Sequence, residues 1–323
     1  MEFQNPLEDS GLSEKINHIC GTTNVLFSNK AKVSNVNDAL DRYFFLASEL
    51  DGSFDDSNRT GAPIETQSIV SGTNAYKFSA FTNEVLTMLQ LGILDSDSNE
   101  ATLTHEDIEN MDNFGDLYKT SDTGVPTHWT RLGDYIYLRP TPDYALADAL
   151  RAYVGRIPDR YAFTSFTVTQ ATPAVFTATA HGLVLNDTII LETDGTLLTG
   201  LTADTVQYYI ITAGLTADAF QVSLTKGGTA VNTTATQSGN HTFLKTSKEP
   251  GIPTIHHLYL CRLASIPYLT SKNLPQFRAI HKQVYAIKES DGYDGDEASI
   301  KNYFSSRDKD VRPIMTTKRI SYR

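Results

Sequence analysis

Cysteine and tryptophan are nearly absent: the chain has two of the first and one of the second. Cys20 and Cys261 lie far apart and in no motif spacing, which excludes a disulfide framework and a Cys-x-x-Cys redox or zinc pair. The opening MEFQNPLEDSGLSEK is acidic and polar, unlike a secretory signal. Both thiols are therefore expected to be free and buried, in a protein folded in a reducing cytosol. Long hydrophobic runs are missing too, since no stretch approaches the ~20 apolar residues of a membrane-spanning helix. Nothing matches a Gly-x-Ser-x-Gly elbow, a Walker phosphate loop or a dinucleotide loop. Carboxylates abound, but none is marked by an apolar setting as half of an acid–base pair.

The residues that hint at chemistry have plainer readings. The run DGSFDDS from Asp51 starts like a calcium loop, but Asp56 and Ala62 occupy the places where that loop needs Gly and Glu. His256 and His257 are adjacent, and on a helix neighbours point about 100° apart, so they cannot share a metal. One is expected to pack and the other to face solvent. His181 sits in a turn, where a local structural role is expected. No catalytic residue, cofactor or metal site is expected.

What the chain does have is charge, unevenly spread. Net charge is −11, yet Lys301, Arg307, Lys309, Arg312, Lys318, Arg319 and Arg323 crowd the last stretch against Asp308 and Asp310. An acidic body disfavours a nucleic-acid backbone as partner. A basic tail favours an acidic protein surface, the alternative being a solvated tail.

Leu12, Ile16 and Ile19 at helical spacing predict a first helix, begun near Ser10 and ended by Gly21. A second is predicted from Asn35, as cap, to Leu50, burying Val36, Ala39, Leu40, Tyr43, Phe44 and Ala47. Strands are predicted at Glu65–Val70 and Ala75–Phe78 around the turn Ser71–Asn74, and at Val85–Leu94. Thr104 is expected to cap a short helix through Asp107. A strand is expected over Ala147–Arg156.

From Phe163 to Leu244 the texture changes. Arg vanishes, Lys226 is the only Lys, Thr becomes frequent, and short alternating runs are divided by turns such as His181-Gly182 and Gly227-Gly228. This predicts a small all-β sandwich or barrel inserted into the rest of the chain. Helices return at Pro253–Ser271, from Pro275 to about Glu289, and at Glu297–Arg307. Residues 311–322 read as extended and basic.

The only Trp lies in TGVPTHWTRLGDYIYLRPTPDY, Thr123–Tyr144. Gly124 and Pro126 are expected to shape a turn, with Trp129 as a core anchor or, alternatively, an interface anchor. Tyr135 and Tyr137 should share one strand face, and Ile136 and Leu138 the other. Pro140 and Pro142 should end the strand, because Pro cannot donate to a ladder.

The order of these outer segments resembles the head–tail adaptor (connector or neck) proteins of tailed bacteriophages. The matching pieces are, in order, DALDRYF (38–44), DGSFDDS (51–57), IVSGTNAYKF (69–78), GVPTHW (124–129), GDYIYLRPTPD (133–143), YVGRIP (153–158), PGIPTIHH (250–257) and RDKD (307–310). The inserted segment separately resembles a β-module of phage structural proteins through ATPAVFTATAHGL, DTIIL and AFQVS.

The resemblance implies an α+β fold: a helical bundle with a small antiparallel β-part (1–162 and 246–323), an inserted all-β domain (163–245) and an extended C-terminal arm (309–323). It implies a structural virion protein at the head–tail junction, in the host cytoplasm during assembly, and no enzyme. Its partners would be the portal protein, tail or neck proteins, and itself in a ring homo-oligomer, a dodecamer. Genomic DNA would pass the channel without sequence-specific binding, and no membrane is involved. Portal docking would fall to Lys309, Arg312, Lys318, Arg319, Tyr322 and Arg323. The alternative is a virion-surface or tail-associated protein whose β-insert, through Tyr208, Tyr209 and Phe220, contacts a host receptor or glycan. A third possibility is a tail-borne glycan hydrolase, for which no carboxylate pair can be named.

Overall fold

The computed structural model describes residues 1–50, 64–81, 85–107, 121–156 and 159–307. The described residues form two compact units, one of Met1–Leu46 with Asp159–Ser306, the other within Ala47–Pro158. The Thr-rich segment therefore belongs to the same unit as most of the helices.

Two helices open the first unit, α1 (Leu12–Cys20) and α2 (Asn29–Leu50). Gly21 ends α1 in the left-handed conformation, φ 62°. Gly11, rather than Ser10, precedes α1 because a Cβ there would lie 2.6 Å from the Asn5 nitrogen and 2.7 Å from the Gln4 Cα. The start of α2 is six residues earlier than the spacing predicted. Val33 extends its buried face backward, Phe27 is buried just before it, and the Ser28 Oγ caps it by accepting from the Ala31 N–H. Asn35 lies inside the helix and donates from Nδ2 to the Ala264 carbonyl at 3.0 Å. All six positions expected on the buried face of α2 are buried.

The second unit holds eight strands: β1 (Ile64–Ile69), β2 (Ala75–Lys77), β3 (Val85–Leu94), β4 (Glu100–Thr102), β5 (Thr104–His105), β6 (His128–Leu132), β7 (Tyr135–Arg139) and β8 (Leu146–Arg156). They form two four-stranded sheets, β1-β8-β3-β4 and β2-β7-β6-β5. Ile69, Leu91, Ile93, Leu150, Ala152 and Val154 from the first meet Tyr76, Ile136 and Leu138 from the second in one core. β1 and β2 flank a turn as expected but do not pair with each other: β1 joins β8 and β2 joins β7. The expected helix at Thr104 is a strand instead. β5 pairs parallel with β6, and the Thr104 and Glu106 N–H groups donate to the Thr127 and Trp129 carbonyls, so this backbone is extended against a neighbouring strand.

The rest of the first unit begins with seven strands, β9 (Phe163–Val168), β10 (Phe176–Thr177), β11 (Thr188–Thr193), β12 (Gln207–Ile210), β13 (Ala219–Phe220), β14 (Val222–Ser223) and β15 (His241–Lys245). Their order is β13-β10-β9-β15-β11-β12-β14. The two ends of this order, β13 and β14, are separated in the chain by Gln221 alone. One short stretch thus pairs with β10 by its first half and with β12 by its second, so the sheet curls round and closes as a barrel. Alternation fills it: Phe166, Phe176, Ile189, Leu191, Tyr208, Phe220 and Phe243 point inward as a buried cluster.

Four helices complete the unit: α3 (His257–Ser271), α4 (Gln276–Tyr285), α5 (Lys288–Asp291) and α6 (Asp296–Arg307). α1 packs on α3. The buried face of α3 carries Tyr259, Leu260, Cys261, Ala264 and Leu269, whereas Ile255 and Leu258 are exposed. Paired ions fasten α6: Arg42 of α2 grips Glu297 at 2.9 and 2.8 Å, and Arg262 of α3 grips Asp296 at 2.7 and 2.8 Å.

The expected balance of helix and strand is overturned. A helical bundle with a small β-part does not describe this chain, whose described residues form fifteen strands in three sheets against six α-helices. The cause is non-local pairing. Residues 64–156, expected to contribute a minor β-part, supply two whole sheets in which β1, β2 and β3 find partners far along the chain.

Candidate functional site

The arm residues proposed for docking, Lys309, Arg312, Lys318, Arg319, Tyr322 and Arg323, lie outside the described residues, as does the acidic loop 51–57. The turn-and-anchor residues are described and come together around the β6–β7 hairpin. The Gly124 N–H donates to the Thr141 carbonyl, and the Pro142 carbonyl accepts from Gly72. Pro126 and Pro142 are buried, and Pro140 is half-buried. Trp129 opposes Leu138 across the hairpin, packs partly buried against the core of the two sheets, and meets the His105 ring edge-on at 4.5 Å. Ile136 and Leu138 face that core, and Tyr135 is exposed.

The two adjacent histidines do not divide between core and solvent: both are buried. The Tyr43 hydroxyl is 2.7 Å from His256 Nδ1. His257 accepts from the Met1 ammonium at Nδ1 and donates from Nε2 to the Ile252 carbonyl. Burial holds both rings below the usual histidine range. A short 3-10 turn, Thr254–His256, precedes α3, so the pair sits at the junction of two geometries rather than on one regular helix. His181 serves its turn, with Nδ1 accepting from the Leu183 N–H at 3.0 Å.

Lys32 is wholly buried in the first unit. Its ammonium donates to Ser13 Oγ at 3.0 Å and to Asn24 Oδ1. Desolvation draws its pKa down to about 8, opposed by the nearby Glu14 carboxylate. A Lys–Ser pair can serve as base and nucleophile, but Ser13 and Lys32 are both 0% exposed, so no substrate reaches them. The thiols are similarly enclosed, and burial pushes Cys261 up to about 12. Among the described residues, no group of three or more His, Cys, Asp or Glu side chains is placed to hold a metal ion, and no helix is long and apolar enough to cross a membrane.

Two surface features of the first unit are open to a partner. Val25 and Leu26 are 81% and 70% exposed beside a groove of about 460 Å³ formed with Phe27, Ala31, Pro267 and Tyr268. Phe27 stacks on Tyr268 at 4.4 Å and so builds its floor. On the barrel, a second groove of about 460 Å³ is lined by Ser165, Thr167, Thr177, Thr179, Gln237 and Asn240, among others. Thr167 and Thr177 stand opposite each other across β9 and β10. The aromatics suggested for ligand contact are elsewhere in the barrel: Tyr208 and Phe220 are buried in its core, and Tyr209 is half-buried.

Sequence reasoning missed Val25 and Leu26, which lie in an apolar run between two helices, and the buried Lys32, which reads as a solvent-facing residue. It also missed the Glu192–Asp204 pair. Glu192 projects from the outer face of β11, and Asp204 lies in the loop that follows, so only the folded turn joins them. No family model matches the chain, and no curated protein aligns with it.

Proposed function

We propose that the chain is a structural virion protein, a head–tail adaptor that assembles as a ring between the portal vertex and the tail or neck. The observation that carries this reading is the apolar groove bearing Val25 and Leu26. Large side chains left this exposed around a concave apolar surface are what an assembly subunit presents before its neighbour covers it. The order of segments that resembles adaptors supports it, and α2 and α3 of that order are helices. A ring requires heterologous interfaces, in which one surface of a subunit meets a different surface of the next. On this reading the portal, tail or neck proteins and further copies of the chain are the partners. DNA passes without sequence-specific binding, and no cofactor, catalysis or membrane enters.

A second reading has one observation in its favour. The barrel groove mixes hydroxyls and amides with Phe166, Ala178 and His241, and has no Asp, Glu, Lys or Arg in its lining, a surface suited to a neutral glycan or receptor on a virion-exposed module.

The test is to offer the portal protein of the same genome to the full chain and to a chain ending at Lys309, and to compare pull-down and electron micrographs. Rings on the portal with the full chain only support the adaptor reading and assign docking to the arm. Rings with both keep the adaptor and move docking elsewhere. Failure of both to bind the portal overturns it in favour of the second reading.

A further inference from the structure

The seam between α2 and the barrel sets two carboxyl groups against one ammonium. Glu192 leaves β11 on its outer face, the side opposite the inward Leu191, yet it is only 5% exposed. The Asp204 N–H donates to the Leu191 carbonyl at 2.9 Å, and the Asp204 carbonyl accepts from Asn29 Nδ2 at 3.3 Å. Held at both ends in a left-handed conformation, φ 63°, Asp204 lies within hydrogen-bond reach of the Glu192 side chain.

The first turn of α2 brings the counter-charge. Lys30 Nζ is 3.4 Å from Glu192 Oε2, with the lysine side chain about half exposed. The other oxygen, Oε1, is buried without a protein partner. Around this group the neighbours are neutral or engaged. Thr242 of β15 stands opposite Glu192, Gln207 lies on β12, and Asp194 beyond β11 is taken up by the N–H and side-chain amide of Asn240.

We infer that the buried Glu192 carboxyl holds a proton, and that this proton is a pH-sensitive latch between the first turn of α2 and the barrel. With the proton in place, Glu192, Asp204 and Lys30 sum to zero charge, and the buried Glu192 carboxyl carries none of it. Without it, a buried carboxylate with one unpartnered oxygen lies near the exposed Asp204 carboxylate, offset by a single, half-exposed ammonium. Desolvation, then the Asp204 carboxylate, pushes Glu192 up to about 7, against the pull of Lys30. A raised carboxyl pKa stabilises the closed seam below the ordinary glutamate range, and that contribution is lost as pH rises through about 7. The seam therefore holds in mild acid and loosens in mild base. This inference does not depend on the adaptor reading.

Hydrogen exchange of the full chain, corrected for intrinsic exchange rate, tests it across about pH 5.5 to 8.5. Peptides covering residues 26–33 and 188–206 are expected to lose protection roughly tenfold or more above neutrality. Glu192→Gln, which stays neutral and can still donate, is expected to keep protection throughout that range. Asp204→Asn is expected to flatten the response by removing the second charge. Equal pH dependence in the wild type and both variants overturns the latch. A side-chain carboxyl shift of Glu192 that titrates in the ordinary glutamate range, about 4.3, also overturns it, whatever the variants do to folding.

Discussion

The Tyr43 hydroxyl lies 2.7 Å from Nδ1 of His256 in a buried setting, and this one contact ties the middle of α2 to the entry of α3. The Tyr43 ring also packs against Tyr259 and Phe304, at 6.3 and 5.8 Å between centroids. Tyr43→Phe keeps that packing and leaves an imidazole nitrogen without its partner. The expected loss is about 1–3 kcal/mol of stability, read by chemical denaturation at about pH 8, where an unperturbed histidine is neutral. An unchanged midpoint would show that the hydroxyl contributes nothing net.

Lys32 gives a prediction of opposite sign. Its buried ammonium has hydrogen bonds but no salt bridge at contact distance among the described residues. Its depressed pKa means that the folded state resists the charged form, so the penalty is greatest below about 8 and is relieved as pH rises toward the ordinary lysine value. Lys32→Met is expected to raise the denaturation midpoint at neutral pH and to raise it less near pH 10. A variant that unfolds more easily at neutral pH would show that the hydrogen bonds to Ser13 and Asn24 outweigh desolvation.

The ion pair between Arg42 and Glu297 should govern α6. Glu297 is nearly buried while Arg42 is substantially exposed, so truncating the acid removes a well-formed two-point contact without stranding a buried cation. Glu297→Ala is expected to cost about 1–2 kcal/mol and to speed hydrogen exchange in residues 296–305 ahead of the rest of its unit. Exchange that accelerates evenly across the unit would contradict a local anchoring role.

Trp129 tests the second unit. It is half-buried, and its ring rests on His105, so Trp129→Ala should cost less than a fully enclosed aromatic, about 2 kcal/mol against the usual 3–5. Trp129→Phe, which retains a ring over the core, should recover most of that loss in a circular-dichroism melt. Equal stability of the alanine variant and the wild type would favour the interface-anchor alternative.

Much of the local structure was legible and most of the pairing was not. Gly21 marked the end of α1, and the apolar stripe from Val36 to Ala47 marked the face of α2, because helical periodicity and caps are local signals. The barrel strands were also visible, as short alternating runs between turns. The balance of fold classes was not legible. The registers Thr104 to His128 and Ile64 to Tyr153 join residues whose partners no local pattern names. The same reason hid Glu192 and Asp204, and it misread Thr104, whose side chain suits a cap but whose N–H is claimed by Thr127. That both His256 and His257 are buried was not legible because their partners, Tyr43 and the Met1 ammonium, are 213 and 256 residues away.

The most direct measurement of the central claim is where the protein sits in the particle. An epitope inserted at the exposed turn of Lys226 and Gly227 can be labelled with gold on purified virions and on heads that lack tails. The adaptor reading predicts label at a single vertex, at the head–tail junction, and greater access in tailless heads. Label at the tail tip or spread over the capsid surface would contradict it and favour a virion-surface binding protein.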